Sequence, residues 1–410
     1  MLILTNCNLI DGTGRDSTQN ASVVINGNCI EGAVSDFEYP ENAEVIDLQN
    51  STIIPGLIDC HVHLGGFAID KIGQAIGKVT FMNMVSFTWD YFRNYKHRRQ
   101  LAIENGVTTV RSAGDLHPHI IKLRDNIAAG KLTGPRIFAP GPTITAPGGH
   151  PASTIYKSNR YITENAIRQI DKIDAARDEV NKLVEEGVDC IKAIYSNIDP
   201  MDVKNKVPRL SLDVLEALAD EAHKYNLRLM VHTGSQKEAI DSVRAGADSI
   251  EHGILPGGNS SGFNDELIKI MLDRGTCFVP TLAIAWAYKE IYPDFFANIK
   301  RIVKRLHDSG VKIAAGTDSG TPGVVIGKGL HKELELLVES GLSPMEAIIA
   351  GTRSAADNIG KVNEIGTIEN GKRADLIVIL GNPLDKIENT VNIKMVMKDG
   401  VILVNKFGQH

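Results

Sequence analysis

The chain has no apolar run approaching the ~20 residues that a membrane-spanning helix needs. Its opening, Met1-Leu2-Ile3-Leu4-Thr5-Asn6, lacks a basic region and meets polar Asn6 too early for a signal peptide. Nor is there a basic surplus: 44 Lys+Arg face 50 Asp+Glu, a formal net charge of -6. That argues against a nucleic-acid binder, which carries a basic patch or a high pI. The one basic cluster, Lys96-His97-Arg98-Arg99, reads as the solvated face of a helix. Cysteine is scarce and scattered (Cys7, Cys29, Cys60, Cys190, Cys277), odd in number and without C-x-x-C spacing. This excludes a disulfide framework or a cysteine-based zinc site and fits a reducing compartment. A cytoplasmic location is expected, with neither membrane nor nucleic acid as partner.

The 410 residues, 43% hydrophobic and 23% charged, suffice to bury a large core without staples. Residues 1–50 read as short strands broken by turns: Leu2–Leu4, Ser22–Ile25 with Asn26-Gly27 as a hairpin signal, and Val45–Leu48. The last fifty residues repeat the style at Ala374–Leu380, Ile393–Met397 and Val401–Val404. The two β-rich ends are expected to pair into one small β-domain. Between them, eight apolar β-type runs alternate with amphipathic helical stretches. The runs are Leu57–Leu64, Val107–Arg111, Arg136–Ala139, Val188–Tyr195, Leu227–Thr233, Ala247–His252, Thr276–Pro280 and Val311–Thr317. The spacing predicts helices over Ser211–Tyr225, with Ser211 as N-cap, and over Asn298–Asp308 before Gly310. Eight such alternations suit a (β/α)₈ TIM barrel better than a doubly wound open sheet.

In such a barrel chemistry is built at the carboxyl ends of the strands, so the titratable residues there carry the argument. The first strand ends in Asp59-Cys60-His61-Val62-His63-Leu64, and period two puts His61 and His63 on one face, able to chelate one ion. His232, His252 and Asp318 fall at the ends of the fifth, sixth and eighth strands. Each alone reads as a satisfied core histidine or an N-cap aspartate. Together at strand ends they are better explained as a metal centre, and imidazole with carboxylate suits zinc and its divalent neighbours. Lys192 lies inside the apolar fourth strand, where a cation is costly unless paired or neutralised. Two neighbouring cations would depress its pKa.

At these residues the sequence resembles the amidohydrolase superfamily. Within it the resemblance is to the imidazolonepropionase-like proteins and the metal-dependent dipeptidases of prolidase or Xaa-Arg type. It rests on Pro55-Gly56-Leu57-Ile58-Asp59-Cys60-His61-Val62-His63, Gly106–Arg111, Ser249-Ile250-Glu251-His252-Gly253, Gly316-Thr317-Asp318 and the run Gly366–Leu376. The resemblance implies a barrel over residues 55–361 and a β-sandwich domain made from both chain ends, 1–54 and 362–410. It further implies two divalent ions, zinc by preference. His61, His63 and Asp318 would hold one, His232 and His252 the other, with carboxylated Lys192 bridging. Such a centre supplies a hydroxide near neutral pH and a Lewis acid, with Asp318 placed to move the proton.

His150 follows paired glycines in Pro147-Gly148-Gly149-His150, and because a histidine so placed contacts substrate in similar dipeptidases, the resemblance assigns it to binding a substrate carbonyl or carboxylate. Tyr195 could offer its hydroxyl to substrate or could pack. It opens Tyr195-Ser196-Asn197, where similar dipeptidases often show Ser-Gly-Gly. Asn358 reads as structural. The aromatic stretch Phe81–Phe92 stays open between lid, subunit interface and helix core, and Trp286 and Tyr288 raise the same choice. The expected activity is hydrolysis of a C–N bond in a small N-acyl amino acid or dipeptide, in an enzyme that forms a homo-oligomer. Cyclic-amide opening of the imidazolone kind is the alternative, as is carbamate, urea or ester cleavage on the same centre.

Overall fold

The computed structural model describes residues 1–34, 40, 42–65, 95–157, 159–258 and 263–408. Five strands come first: β1 (Leu2–Leu9), β2 (Thr18–Asn26), β3 (Cys29–Val34), β4 (Glu44–Asp47) and β5 (Thr52–Pro55). Then follow β6 (Leu57–Val62), β7 (Val107–Ser112), β8 (Arg136–Phe138), β9 (Thr143–Thr145), β10 (Ile167–Gln169), β11 (Cys190–Ile194), β12 (Arg228–His232), β13 (Ser249–Glu251) and β14 (Cys277–Val279). The chain closes with β15 (Leu376–Ile379), β16 (Ile393–Lys398) and β17 (Val401–Asn405).

Strands from both chain ends share one eight-stranded sheet, in the order β17-β16-β15-β5-β1-β2-β3 with β4 on β1. The two ends meet where β5 pairs antiparallel with β15, Ile54 opposite Ile377. The edge strand β3 also bonds back toward β15, through Ile30 N–H to the Lys372 carbonyl at 2.8 Å and Ala374 N–H to the Asn28 carbonyl at 2.9 Å. Leu4, Val23, Ile53, Leu376, Val378 and Met395 are buried in a common apolar cluster here.

The middle of the chain is α/β with parallel sheets. β6-β7-β8 form one sheet and β10-β9-β11-β12-β13-β14 another. β6, β7 and β11 to β14 are buried along all or nearly all of their length, the signature of parallel strands covered on both faces. Asp189 N–H to the Ala139 carbonyl, 2.9 Å, ties the first sheet to the second. Residues 312–319 tie them again, from Phe278 N–H to the Lys312 carbonyl at 2.9 Å and from Cys60 N–H to the Ala315 carbonyl at 3.0 Å.

Helices pack over these strands by amphipathic faces. The helix Leu212–Lys224 starts at Ser211, whose Oγ accepts from Val214 N–H, and buries Val214, Leu215, Leu218 and Ala222. The helix predicted from Asn298 starts earlier, at Pro293, whose fixed φ suits the first helical position. Of the predicted middle strands, the eighth is reduced to one bridge, Phe278 opposite Ile313. β9 and β10, three residues each, are additional to the eight predicted strands.

The basic cluster departs from expectation. Lys96 and His97 are exposed, but Arg98 and Arg99 are buried, because their guanidiniums donate to the carbonyls of Leu64 and Thr133. Among the described residues no helix is long and apolar enough to cross a membrane. The aromatic stretch 81–92 lies outside the described residues.

Candidate metal centre

The end of β6 is pinned before it turns. Asp59 accepts from His61 N–H at 3.2 Å, from Thr317 N–H at 3.1 Å and from the Thr317 hydroxyl at 2.7 Å. That brace sets Asp318 against β6, with Oδ1 3.2 Å from His63 Nε2 and 3.7 Å from His61 Nε2. One ligand atom from each of His61, His63 and Asp318 lies within 4.8 Å of the others, a candidate His-His-Asp metal site. Close packing around it demands glycine twice. A Cβ at Gly320 (φ +89°) would sit 2.0 Å from the His63 carbonyl oxygen, and one at Gly114 (φ +129°) 2.1 Å from Thr143 Oγ1.

The other predicted imidazoles extend this site. Ring centroids run His63–His61 at 5.6 Å, His61–His252 at 4.8 Å, His252–His232 at 4.6 Å and His232–His150 at 5.4 Å. Of the four imidazoles expected as ligands, three are anchored through Nδ1, which leaves Nε2 for the centre. His61 Nδ1 is 2.6 Å from Glu251 Oε2, His63 Nδ1 3.1 Å from the Gly114 carbonyl, and His252 Nδ1 2.8 Å from Thr281 Oγ1. Metal-binding histidines are oriented in this way, by an acceptor on the second ring nitrogen. His150 Nδ1 meets Thr154 Oγ1 at 2.7 Å.

The buried polar atoms without a hydrogen-bond partner among the described residues include Lys192 Nζ and His232 Nε2, and both residues line the same cavity. Such atoms are costly unless something else meets them. This donor set fits divalent ions: neutral imidazole nitrogens, a carboxylate and an orphaned amine around one space.

Burial shapes the electrostatics. It holds His61 and His232 well below the usual histidine range and pulls His252 down to about 3 and His150 to about 4. Neutral imidazoles are the metal-binding form. His63 goes the other way: burial is outweighed by the hydrogen bond and charge of Asp318, with Asp115 behind it. Lys192 is brought down to about 8, chiefly by burial, with Arg111 adding and Glu251 and Asp318 opposing. Burial, more than neighbouring cations, therefore frees its amine.

Backbone strain collects here too. His252 (φ +63°), Thr281 (φ +51°) and Asp318 (φ +59°) sit in the left-handed region, whereas the other described non-glycine residues there are Asn, Asp or Gln. A β-branched threonine in that region is a true outlier, and such outliers gather at functional sites. At His252 the turn breaks period-two alternation, so Glu251 and His252, adjacent in sequence, both reach the centre.

Tyr195 is the exception among the predicted residues. Lys192 and Ile194 line the cavity, so the next residue along β11 faces the opposite side. There its hydroxyl donates to Asp241 Oδ2 at 3.3 Å and Arg209 stacks on its ring at 4.3 Å. Of the two aromatics past the seventh strand, Tyr288 lines the cavity, whereas Trp286 lies under Lys289 and Lys332.

Sequence reasoning passed over Asp59, Arg111, Glu251 and Thr281. Glu251 is fully buried, with Oε1 accepting from Arg111 Nη2 at 2.8 Å and from Ser249 Oγ at 2.6 Å. The argument that singled out Lys192, a charge inside an apolar strand, applies equally to Arg111 and Glu251. Period two places Asp59 on the face of His61 and His63. Thr281 gave no signal, because its role comes from a backbone turn.

Residues 52–403 match the amidohydrolase family. A Xaa-Pro dipeptidase, solved with methionine bound in its active site, is 30% identical, with a TM-score of 0.81 over 98% of this chain and 100% of that one. The imidazolonepropionase of Clostridium tetani is 27% identical over 424 residues, 95% of this chain and 91% of its own. The ochratoxinase of Aspergillus niger is 24% identical over 421 residues, 93% of this chain and 81% of its own.

Proposed function

The chain belongs to the amidohydrolase family, a hydrolase of C–N bonds, and on that premise we propose a binuclear metal enzyme that cleaves a small N-acyl amino acid or dipeptide. The observation that carries this reading is the pair of partnerless buried atoms, Lys192 Nζ and His232 Nε2, beside the His61–His63–Asp318 cluster. His61, His63 and Asp318 would hold one divalent ion and His232 and His252 a second, zinc suiting these donors, with Lys192 carboxylated between them. When bound, such ions acidify a water toward neutral pH and polarise a carbonyl. The parallel strands with residues 312–319 are read as one (β/α)₈ barrel over 55–361, and the eight-stranded sheet, curled back on itself, as a β-sandwich of 1–54 and 362–410. The links between the sheets and the return of β3 toward β15 support this.

Asp318 takes a proton from the attacking water and delivers it to the leaving nitrogen, so the C–N bond breaks to an acid and an amine. His150, its Nδ1 engaged by Thr154, turns Nε2 to the substrate carbonyl or carboxylate. Glu251, Gly114 and Thr281 keep the imidazoles of His61, His63 and His252 in place. A one-ion ring opener would leave buried Lys192 without a task.

Elemental analysis beside kinetics tests the reading. Wild-type enzyme should carry about two equivalents of metal and Lys192→Ala about one fewer, since two cations lose their bridging charge. Activity should nearly vanish and return in part with added acetate or propionate. Full metal content and normal turnover in Lys192→Ala would overturn the bridging role.

A further inference from the structure

We infer, resting on the hydrolase reading above, that the substrate carries a bulky uncharged apolar or aromatic arm, and that charged arms are rejected. The cavity over the centre is about 380 Å³, more than a glycyl or acetyl group fills. Among the described lining residues the only Lys, Arg, Asp or Glu side chains are Lys192 and Asp318, both at the centre itself. The stretch past β14 lends the lining an aromatic and aliphatic set: Ile284, Tyr288, Ile291, Tyr292 and Phe295. Residues at or past the ends of β11 and β13 add Ile194, Met201, Ile254, Leu255 and Pro256.

A charged arm among these side chains would lose its water without gaining a charged partner among the described residues. An aromatic arm instead exchanges water for carbon on both sides. The mouth carries the same character: Ile291 is 56% exposed and Met201 48% exposed, although both line the cavity. Large apolar side chains left open at a cavity rim mark a surface kept for a ligand.

A substrate series on the metal-loaded enzyme tests this, with one scissile amide and arms of methyl, benzyl, naphthylmethyl, carboxyethyl and aminobutyl. The kcat/KM for benzyl or naphthylmethyl should exceed that for methyl by on the order of 10²-fold, the range open to apolar pocket contacts. The charged arms should fall at or below methyl. Ile291→Asp, at an exposed position that tolerates polarity, should lower kcat/KM for the naphthylmethyl substrate about tenfold and raise it for aminobutyl. Its metal content should be unchanged, and a merely structural defect would lower both. Preference for a charged or methyl arm overturns the inference while leaving the hydrolase reading intact. Conversely, no amide cleavage, with tight calorimetric binding of the corresponding naphthylmethyl amine, would sink the hydrolase reading and leave this one standing.

Discussion

At the carboxyl ends of the parallel strands Lys192 Nζ and His232 Nε2 are buried without partners among the described residues, whereas at the amino end of β8 buried Asp375 and the half-buried charges around it are joined. There Arg136 donates to Asp375 and, at 2.5 Å, to Asp399 Oδ1, and Arg373 reaches the same Asp399 oxygen at 2.8 Å. Asp375 also accepts from Asp399 N–H at 2.7 Å. This knot fastens β8 to the eight-stranded sheet. Among the described residues of that sheet's strands, no buried side-chain polar atom lacks a partner. An unmet buried polar group costs about 1–3 kcal/mol. Unmet atoms occur elsewhere too, among them Thr108 Oγ1 and both amide atoms of Asn358, but Lys192 Nζ and His232 Nε2 share one cavity, which fits the proposed metal centre.

The sharpest test of the first region is Asp318→Asn, which keeps size and removes the proposed proton acceptor. Turnover should fall by on the order of 10²-fold or more, the share of a lost general base. Denaturant unfolding should show stability kept or slightly raised, since a strained, partly desolvated carboxylate is gone. Near-normal turnover on a good substrate would mean that the proton is handled elsewhere.

The second region should respond in reverse. Arg136→Met leaves Asp375, with a side chain only 4% exposed, without its cation. Stability should drop by about 3 kcal/mol, as expected when one partner of a buried pair is removed. Turnover of the folded fraction should stay within about twofold, since Arg136 lies at the far end of its strand from the cavity. Adding Asp375→Asn should recover part of the loss, a coupling that a double-mutant cycle reads directly. Equal damage to activity and stability would dissolve the contrast.

Much of this contrast was legible beforehand, and the illegible part has physical causes. The strand runs, the Ser211 cap and the histidines at strand ends follow from periodicity and local chemistry, and structure brings His61, His63, His150, Lys192, His232, His252 and Asp318 around one cavity. Tyr195 stayed open between substrate and packing because its position one residue past Ile194 fixes which way it points, and that parity depends on where β11 ends. Arg98 and Arg99 went astray because their partners are carbonyls of Leu64 and Thr133, distant in sequence. Thr281 could not be read at all: a left-handed backbone angle is what turns its hydroxyl to His252. Long-range pairing and local strain are the two things a pattern of residue types does not carry.

The smallest effect concerns a histidine on the structural side of the divide. His331 is as buried as His232, yet both its nitrogens are engaged, Nδ1 with Thr390 Oγ1 at 3.0 Å and Nε2 with the Asn105 carbonyl at 3.1 Å. Burial pulls it down to about 4, against a modest opposing push from that carbonyl. For a histidine lowered on folding, the unfolded chain binds the extra proton between the ordinary value and the folded one. Stability therefore rises with pH through that window and is lost as pH falls from about 6.5 toward 4, at no more than about 1.4 kcal/mol per pH unit from this one group. His331→Gln can still offer an amide N–H to the Asn105 carbonyl, and should cost only about 1 kcal/mol at neutral pH. Denaturant unfolding between pH 7 and 4.5 should then show a shallower acid slope in His331→Gln than in the wild type, with metal content and turnover at pH 7 unchanged. Parallel slopes would show that His331 takes up no proton on unfolding in this range. A loss of bound metal in His331→Gln would instead tie this residue to the centre, and the division between engaged and open histidines would no longer mark where structure ends and chemistry begins.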